Sequence, residues 1–314
     1  MTSSGTFGAQ RGRVIVLGSA NFDVILRVGA LPAPGETVLG EDAVLRPGGK
    51  GANQAVAAAL AGTSVLFAGS VGDDAHGASI RAALIAAGVN DDLLRTAHGR
   101  SSGLAIVLVT PDGENAIAVS PGANHALDVG AVQPILEELQ ASDVLLMQME
   151  LPLDVVARGV EIAGDIGATV VLNLAPAAAV GRAVLGGVAV LVVNRSEGEF
   201  LLGYQLPDPS ALRAGVADLR KLGPAAAVLT AGGGGAYVSD DDGVVHVPAI
   251  EVNAVDTAGA GDAFVGVLAA EISRGRSLRT AVDAAVRAGA IAVQLHGAQL
   301  TSLSLPPALD RTGT

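Results

Sequence analysis

The sequence predicts an α/β fold, a three-layer α/β/α sandwich with a mostly parallel central sheet. Three observations carry that reading. Short β-branched runs alternate with Ala-rich stretches almost from end to end. The runs are nearly continuous in Val, Leu and Ala, as strands covered on both faces should be. Strand then helix, repeated, is the pattern of a parallel sheet with helices on both sides.

In chain order, strands are expected at Val14–Leu17, Val65–Ala68, Val144–Met147, Val170–Leu174, Val188–Val193 and Val228–Thr230. Helices are expected at Asn53–Ala61, Ser79–Ala87, Ala131–Leu139, Asp154–Ile166, Ala211–Leu222, Ala260–Ser273 and Leu278–Leu295. Two regions break the alternation. Residues 24–47 carry Val, Leu and Thr between Pro and Gly punctuation, with no helical period. Leu104–Val109 and Ala116–Val119 read as a hairpin around Pro111-Asp112-Gly113-Glu114, a turn sequence. These regions form either a small sheet of their own or edge strands of the large one. No solenoid repeat and no low-complexity linker marks a boundary, so residues 1–314 read as one domain.

Composition narrows the function. Of 314 residues, 50% are hydrophobic and 16% charged, which suits a folded core rather than a disordered chain. A net charge of −12 argues against nucleic acid or an anionic membrane as partner. Aromatic residues make up 2% and Trp is absent, so base-stacking platforms are not expected. The lack of Cys removes disulfides, thiolate nucleophiles and Cys-ligated metals. Met1–Arg13 has no apolar signal core, and the longest apolar run, Ala183–Val193, is too short to span a bilayer. A soluble, cytoplasmic protein is expected.

Five motifs carry chemistry. Gly48-Gly49-Lys50-Gly51-Ala52-Asn53 opens a helix and holds one of only two lysines in the chain. Its glycines allow backbone N–H groups to approach a ligand; the alternative is a Gly-rich turn with Asn53 as helix cap. Without a Ser or Thr after the Lys it is not a Walker A loop. Asp256-Thr257-Ala258-Gly259-Ala260-Gly261-Asp262 also enters a helix. Small residues there form a nest of amides suited to a phosphoryl group, and Asp262 is placed to take a proton from an attacking hydroxyl. The alternative is that Asp262 only complements the helix dipole while Asp256 caps the preceding turn.

Thr230-Ala231-Gly232-Gly233-Gly234-Gly235 follows a strand; it either wraps a nucleotide phosphate or ribose, or is a hairpin connection to Tyr237–Ser239. Asn194-Arg195-Ser196-Glu197 has capping-box spacing, and its functional version sets Glu197 near a hydrated Mg²⁺. Asn21 and Asp23 follow the first strand on one face of an alternating segment, able to hold sugar hydroxyls unless they serve an ordinary turn. Glu150 is a further acid at a strand's C-terminal end, where open α/β sheets bind ligands. The five His residues show no metal-ligand spacing.

Taken in order along nearly the whole chain, these motifs closely resemble the ribokinase (PfkB) family of sugar kinases. The resemblance implies a large sheet with a small β lid, formed by about 24–47 and 104–119, that often serves as a dimer interface. It implies an ATP-dependent kinase acting on a sugar's primary hydroxyl, here the 5-hydroxyl of D-ribose, and a homodimer joined through the lid. Asn21, Asp23, Gly49, Lys50, Gly51, Ala52, Asn53 and Glu150 would bind the sugar. Asn194, Thr230, Ala231, Gly232, Gly233, Gly234, Gly235, Gly261 and Asp262 would meet ATP. Glu197 would act through the waters of Mg²⁺. Asp262 would be the general base, with Gly259, Ala260, Gly261 and Asp262 as anion hole. A monovalent K⁺ would sit on Asp256, Ala258, Ala292, Leu295, Gly297 and Thr301. Three positions depart from the family pattern: Phe22 is bulky between the sugar-binding positions, Val286 offers only packing near adenine, and Leu300 stands where Pro is common. A related kinase for another sugar or a nucleoside, and a non-catalytic sugar sensor, are the competing readings.

Overall fold

The computed structural model describes residues 12–112, 114–295, 297 and 299–300. Its main sheet contains β1 (Val14–Leu17), β4 (Val65–Gly72), β5 (Leu94–Ala97), β8 (Val144–Met147), β9 (Thr169–Asn173), β10 (Val190–Asn194), β11 (Ala226–Thr230), β12 (Ala236–Asp240) and β13 (Gly243–Val247). Their spatial order is β13-β12-β11-β10-β9-β8-β1-β4-β5. Neighbours are parallel except where β12 meets β11 and β13. The helices are α1 (Lys50–Leu60), α2 (Ala75–Ala86), α3 (Val129–Leu136), α4 (Leu153–Ile166), α5 (Arg182–Gly186), α6 (Arg195–Leu202), α7 (Pro209–Lys221), α8 (Ala260–Ser273) and α9 (Leu278–Ala292).

Side-chain alternation along the central strands makes the three layers. Val14 and Val16, Val144 and Leu146, Val190 and Val192 join one apolar cluster with Val56 of α1, Leu268 of α8 and Val282 of α9. Their neighbours Ile15, Leu17, Leu145, Met147, Leu191 and Val193 join the opposite one with Val132 of α3, Val156 of α4 and Val216 of α7. A strand whose both faces are buried needs no polar alternation, which is why these runs read as continuously apolar.

The two irregular regions form their own sheet, not edge strands of the large one. β2 (Asn21–Arg27), β3 (Val44–Gly48), β6 (Gly103–Val109) and β7 (Asn115–Ser120) pair in the order β3-β2-β6-β7. The β2–β3 and β6–β7 pairs are antiparallel, whereas β2–β6 is parallel. Gly113 of the expected turn lies outside the described residues. Only Gly18, Ser19 and Ala20 separate β1 of the main sheet from β2 of the small one.

Several boundaries differ from expectation. α1 begins at Lys50, so the Gly-Gly-Lys-Gly segment passes directly from β3 (Gly48) through the N-cap Gly49, at φ 91°, into the helix, and the cap is not Asn53. α9 stops at Ala292, leaving Leu295 in a turn. β5, β13 and α5 went unread because each is four or five residues long and lacks a sustained period.

Candidate active site

Close packing of α1 on α8 builds the centre of the site. A Cβ on Gly266 would come within 2.3 Å of the Gln54 carbonyl oxygen, so only glycine permits this approach. Asp262 lies one turn before Gly266 and Asn53 one turn before Ala57, which brings both onto the facing sides. The result is a hydrogen bond from Asn53 Nδ2 to Asp262 Oδ2 at 3.1 Å and another from Gln54 Nε2 to Asp262 Oδ1 at 2.9 Å. Asp262 is 9% exposed. Asn53 Oδ1 is buried with no protein donor.

The first turn of α1 does not offer an amide nest. Lys50 N donates to Glu150 Oε2 at 3.2 Å, Gly51 N to Ser19 Oγ at 3.2 Å, and Ala52 N to the Ser19 carbonyl at 2.9 Å. The glycines serve chain crossing instead. A Cβ on Gly49 would stand 2.6 Å from Asn21 N, and one on Gly51 2.6 Å from Ser19 N. Ala52 is 1% exposed and packs in the core. The groups this segment presents are therefore the side chains of Lys50 and Asn53.

Around them stand the remaining acids. Asn21 and Asp23 share one face of β2, and Asp23 pairs in register with Arg46 of β3. Asn124 donates from Nδ2 to Asn21 Oδ1 at 2.7 Å and accepts from Ala20 N at 2.9 Å, fixing the Asn21 amide. Burial pushes the Asp23 carboxyl up to about 6; Glu150 and Asp262 add to the rise, while Arg46 and Lys50 oppose it. Burial pulls Lys50 down, but the combined field of Asp262, Glu150, Glu197 and Asp23 outweighs it and keeps the ammonium charged. Burial also raises Glu197, against the Asn194 N–H and Lys50.

Phe22 does not enter this cluster. Strand alternation turns it to the other face of β2, where its ring stacks on His76 with centroids 4.3 Å apart. Its bulk fills the joint between the small sheet and α2.

The opposite flank of α8 holds a cavity of about 500 Å³. Thr230, Gly232, Gly233 and Gly235 form one side, and Phe264, Val286, Gly289, Ala290 and Val293 the apolar other side. Ala231 and Gly234 are not among its lining residues. The glycine run is a hairpin turn after all, closed by Ala231 N on the Gly235 carbonyl at 2.8 Å, and it lines the cavity as well. Gly235, at φ 81°, is pressed against β13, where a Cβ would meet the Val247 carbonyl oxygen at 2.1 Å.

Ala260 and Gly261 also line the cavity, whereas Asp262 faces the acidic cluster. The first turn of α8, entered through Gly259 at φ 76° with no side-chain cap, thus separates the two spaces. Helix geometry leaves the N–H groups of Gly261 and Asp262 without an intrahelical acceptor.

At the edge of this turn, Asp256 Oδ1 accepts from Ala258 N at 2.9 Å and Oδ2 from Gly297 N at 3.0 Å. Asp256 therefore does cap its own turn, and also joins it to the segment after α9. Ala292 ends α9 and Leu295 lies in the following turn; Thr301 is outside the described residues. Leu300 packs with Ala288 and Ile291. Asn194 and Glu197 form a reciprocal capping box, with Glu197 N to Asn194 Oδ1 at 2.9 Å and Asn194 N to Glu197 Oε2 at 2.7 Å. Among the described residues no three His, Asp or Glu side chains gather as a metal cluster, and no helix is long and apolar enough to cross a membrane.

Sequence reading missed Ser19, Gln54, Asn124, Gln148 and Asn173, all buried. For Ser19, Gln54, Gln148 and Asn173 the signal was present, since each is a polar residue inside or beside an apolar run and such a residue must find a partner; Asn124, between Ala123 and His125, carries no such signal.

The family described as pfkB family carbohydrate kinase matches residues 11–305. A ribokinase of Schizosaccharomyces pombe is 37% identical over 312 residues, covering 96% of this chain and 97% of that protein. A ribokinase of Haemophilus influenzae is 33% identical over 289 residues, covering 92% and 94%. The solved structure of Arabidopsis thaliana ribokinase complexed with ribose and ATP superposes with a TM-score of 0.84 at 29% identity, covering 92% of this chain and 95% of that one.

Proposed function

The chain belongs to the pfkB family of carbohydrate kinases, and from that premise we propose that it transfers the γ-phosphoryl group of ATP to the 5-hydroxyl of D-ribose. One observation carries the proposal. The Asp262 carboxylate stands in the first turn of α8, between the apolar cavity of about 500 Å³ and the polar cluster of Asp23, Lys50, Asn53 and Glu150.

On this reading Asn21, Asp23, Lys50, Asn53 and Glu150 hold the sugar, Lys50 as donor and the carboxylates as acceptors. The unpartnered Asn53 Oδ1 supports this, because a buried acceptor is costly until a ligand hydroxyl satisfies it. Gly49, Gly51 and Ala52 contribute by packing. Thr230, Gly232, Gly233 and Gly235 border the nucleotide, and Phe264, Val286 and Ala290 supply the wall for its base. Ala231, Gly234 and Asn194 act by shaping these turns.

Asp262 accepts the proton of the 5-hydroxyl as that oxygen bonds to the γ-phosphorus. The bond from phosphorus to the β–γ bridging oxygen breaks, and its electron pair leaves with ADP. The N–H groups of Gly259, Ala260, Gly261 and Asp262 line the entry to α8, where charge on the moving phosphoryl group is stabilised.

Two cations fit the residues present. Glu197 commits Oε2 to its capping box and keeps Oε1 for the waters of Mg²⁺, a cation that retains most of its hydration. Mg²⁺ supplies charge neutralisation on the phosphates. Asp256 with carbonyls of Ala258, Ala292, Leu295 and Gly297, and Thr301, is an oxygen-only donor set of the kind K⁺ takes. The Asp256 bridge from Ala258 to Gly297 supports a role in shaping the anion-hole loop.

One face of the small sheet exposes Val44, Ile117 and Val119, between 48% and 59% of each, while Leu45 and Ile106 are exposed on the opposite face. Such an apolar surface supports a homodimer formed through the lid. The reading also places the enzyme in the cytoplasm, where ATP is available and a chain without cysteine meets no disadvantage.

The test is ADP release over ribose, deoxyribose, fructose, adenosine and pseudouridine, with Mg²⁺ and K⁺ present. Ribose should give the highest kcat/KM. A preference for another acceptor would move the assignment within the family, and tight ribose binding without turnover would favour a sensor.

A further inference from the structure

Asp262 is held by a buried chain of amides that the proposed chemistry does not itself require. Gln54, wholly buried, donates from Nε2 to Asp262 Oδ1 at 2.9 Å and to Asn173 Oδ1 at 3.0 Å. Its Oε1 accepts from Gln148 Nε2 at 2.7 Å. Asn173 in turn donates from Nδ2 to the Val192 carbonyl at 3.2 Å. Gln148 is also wholly buried, and its Oε1 has no partner.

These bonds have one direction only. Were the Gln54 amide reversed, its oxygen would face the oxygens of Asp262 and Asn173, and its NH₂ would face that of Gln148. Three attractive contacts would become repulsive together, among side chains buried from solvent. The β-sheet fixes the chain's far end, because Asn173 closes β9 against β10. The Gln54 N–H is therefore locked toward the carboxylate before any ligand arrives.

We propose that Gln54 is a positioning residue for the base, its amide clamped by Gln148 and Asn173 so that the Asp262 carboxylate stays aimed at the acceptor hydroxyl. The inference rests on the kinase reading of Asp262. A donor on the charged form of a carboxylate favours that form, so losing it makes the acid easier to protonate. A fixed donor on Oδ1, with Asn53 on Oδ2, also restrains rotation of the carboxylate, and small misplacements of a base cost rate. The inventory of amide donors explains the choice of residue: Gln supplies two N–H groups and one acceptor, and this site uses all three.

The experiment compares wild type with Gln54→Met, which keeps length and burial but has no N–H, and with isosteric Gln54→Glu. The expected kinetic result for Gln54→Met is kcat lower by about ten- to a hundredfold, less than the full loss of a base, with KM for the acceptor within about threefold. The acid limb of its pH–rate profile should move up by about one pH unit. In Gln54→Glu the limb should move further, since two carboxyl groups would then share the site. Melting temperature is recorded alongside; a lower melting temperature with an unmoved pH profile and unchanged kcat would overturn the proposal. A ¹³C-carboxyl titration of Asp262 in the unliganded proteins, assigned with Asp262→Asn, reads the same upward movement without turnover. If wild type phosphorylates none of the acceptors, the kinase reading fails while this titration still decides the role of Gln54. Should Gln54→Met not fold, Gln54→Glu carries the test, and an unmoved titration there would equally refute it.

Discussion

Asn53 Nδ2 donates to Asp262 Oδ2 across 3.1 Å, joining residues 209 positions apart. The bond exists because α1 and α8 approach at Gly266, and it sets a sugar-binding candidate against the candidate base. Asp262→Asn should lower kcat by at least about a hundredfold while the dissociation constant for ribose changes little. Steady-state kinetics with calorimetric ribose binding checks this; a variant retaining most of its kcat would remove Asp262 from the chemistry.

Asp23 makes a second prediction, through its carboxyl raised to about 6. If, as proposed, ionised Asp23 accepts sugar hydroxyls, KM for ribose should rise as pH falls through about 6. The stability effect has the opposite sense. A folded-state value above the unfolded one, near 3.9, means the native protein binds the proton more tightly, so this group's contribution to stability declines as pH rises from about 4 to 6. Asp23→Asn should abolish both trends, gaining about 1–2 kcal/mol at pH 7 relative to pH 4 after allowance for screening. Urea unfolding at the two pH values measures it.

Phe22 is the bulky departure that the sequence placed between two candidate sugar-binding positions, Asn21 and Asp23. Its stack on His76 puts it outside the acceptor cluster. Phe22→Ala should therefore destabilise the protein by about 2–4 kcal/mol without changing the rank of acceptors. A reordered acceptor panel would show that the ring reaches the sugar.

Asp256 links Ala258 to Gly297. Asp256→Ala should flatten the dependence of kcat on K⁺ concentration between about zero and saturating salt, with Na⁺ as control. Retained K⁺ activation would rule out Asp256 as a ligand.

The exposed apolar face of the small sheet should be covered by its counterpart in a second copy. Val44→Glu with Ile117→Lys, both on the face that also bears Val119, should convert dimers to monomers by light scattering at micromolar concentration. An unchanged mass would place any interface elsewhere.

Much of this was legible before any coordinates. The strands β1 and β8 occur at their expected residues because each is an uninterrupted apolar run, and helix α8 because its pattern extends over fourteen residues. The capping box at Asn194 and Glu197 was readable because it is local, spanning three residues. What the residue order hid was long-range. The engagement of the α1 amides by Ser19 and Glu150 depends on strand neighbours up to 100 residues away. The Gln148–Gln54–Asn173 chain likewise crosses three elements, and nothing in the local sequence of any one specifies the others. The position of Phe22 in the chain, between Asn21 and Asp23, also says nothing of its direction until alternation is applied to the residue itself.

The three-residue passage from β1 into β2 has a mechanical consequence. A flap joined to its body by a slack tether can swing without disturbing the body's own grip. Here the rigid strand that enters the flap carries Asn21 and Asp23 at its root, so any tilt of the flap must drag part of the acceptor's handhold with it. On the proposed reading of Asn21 and Asp23, uncovering the sugar and loosening it would be a single movement.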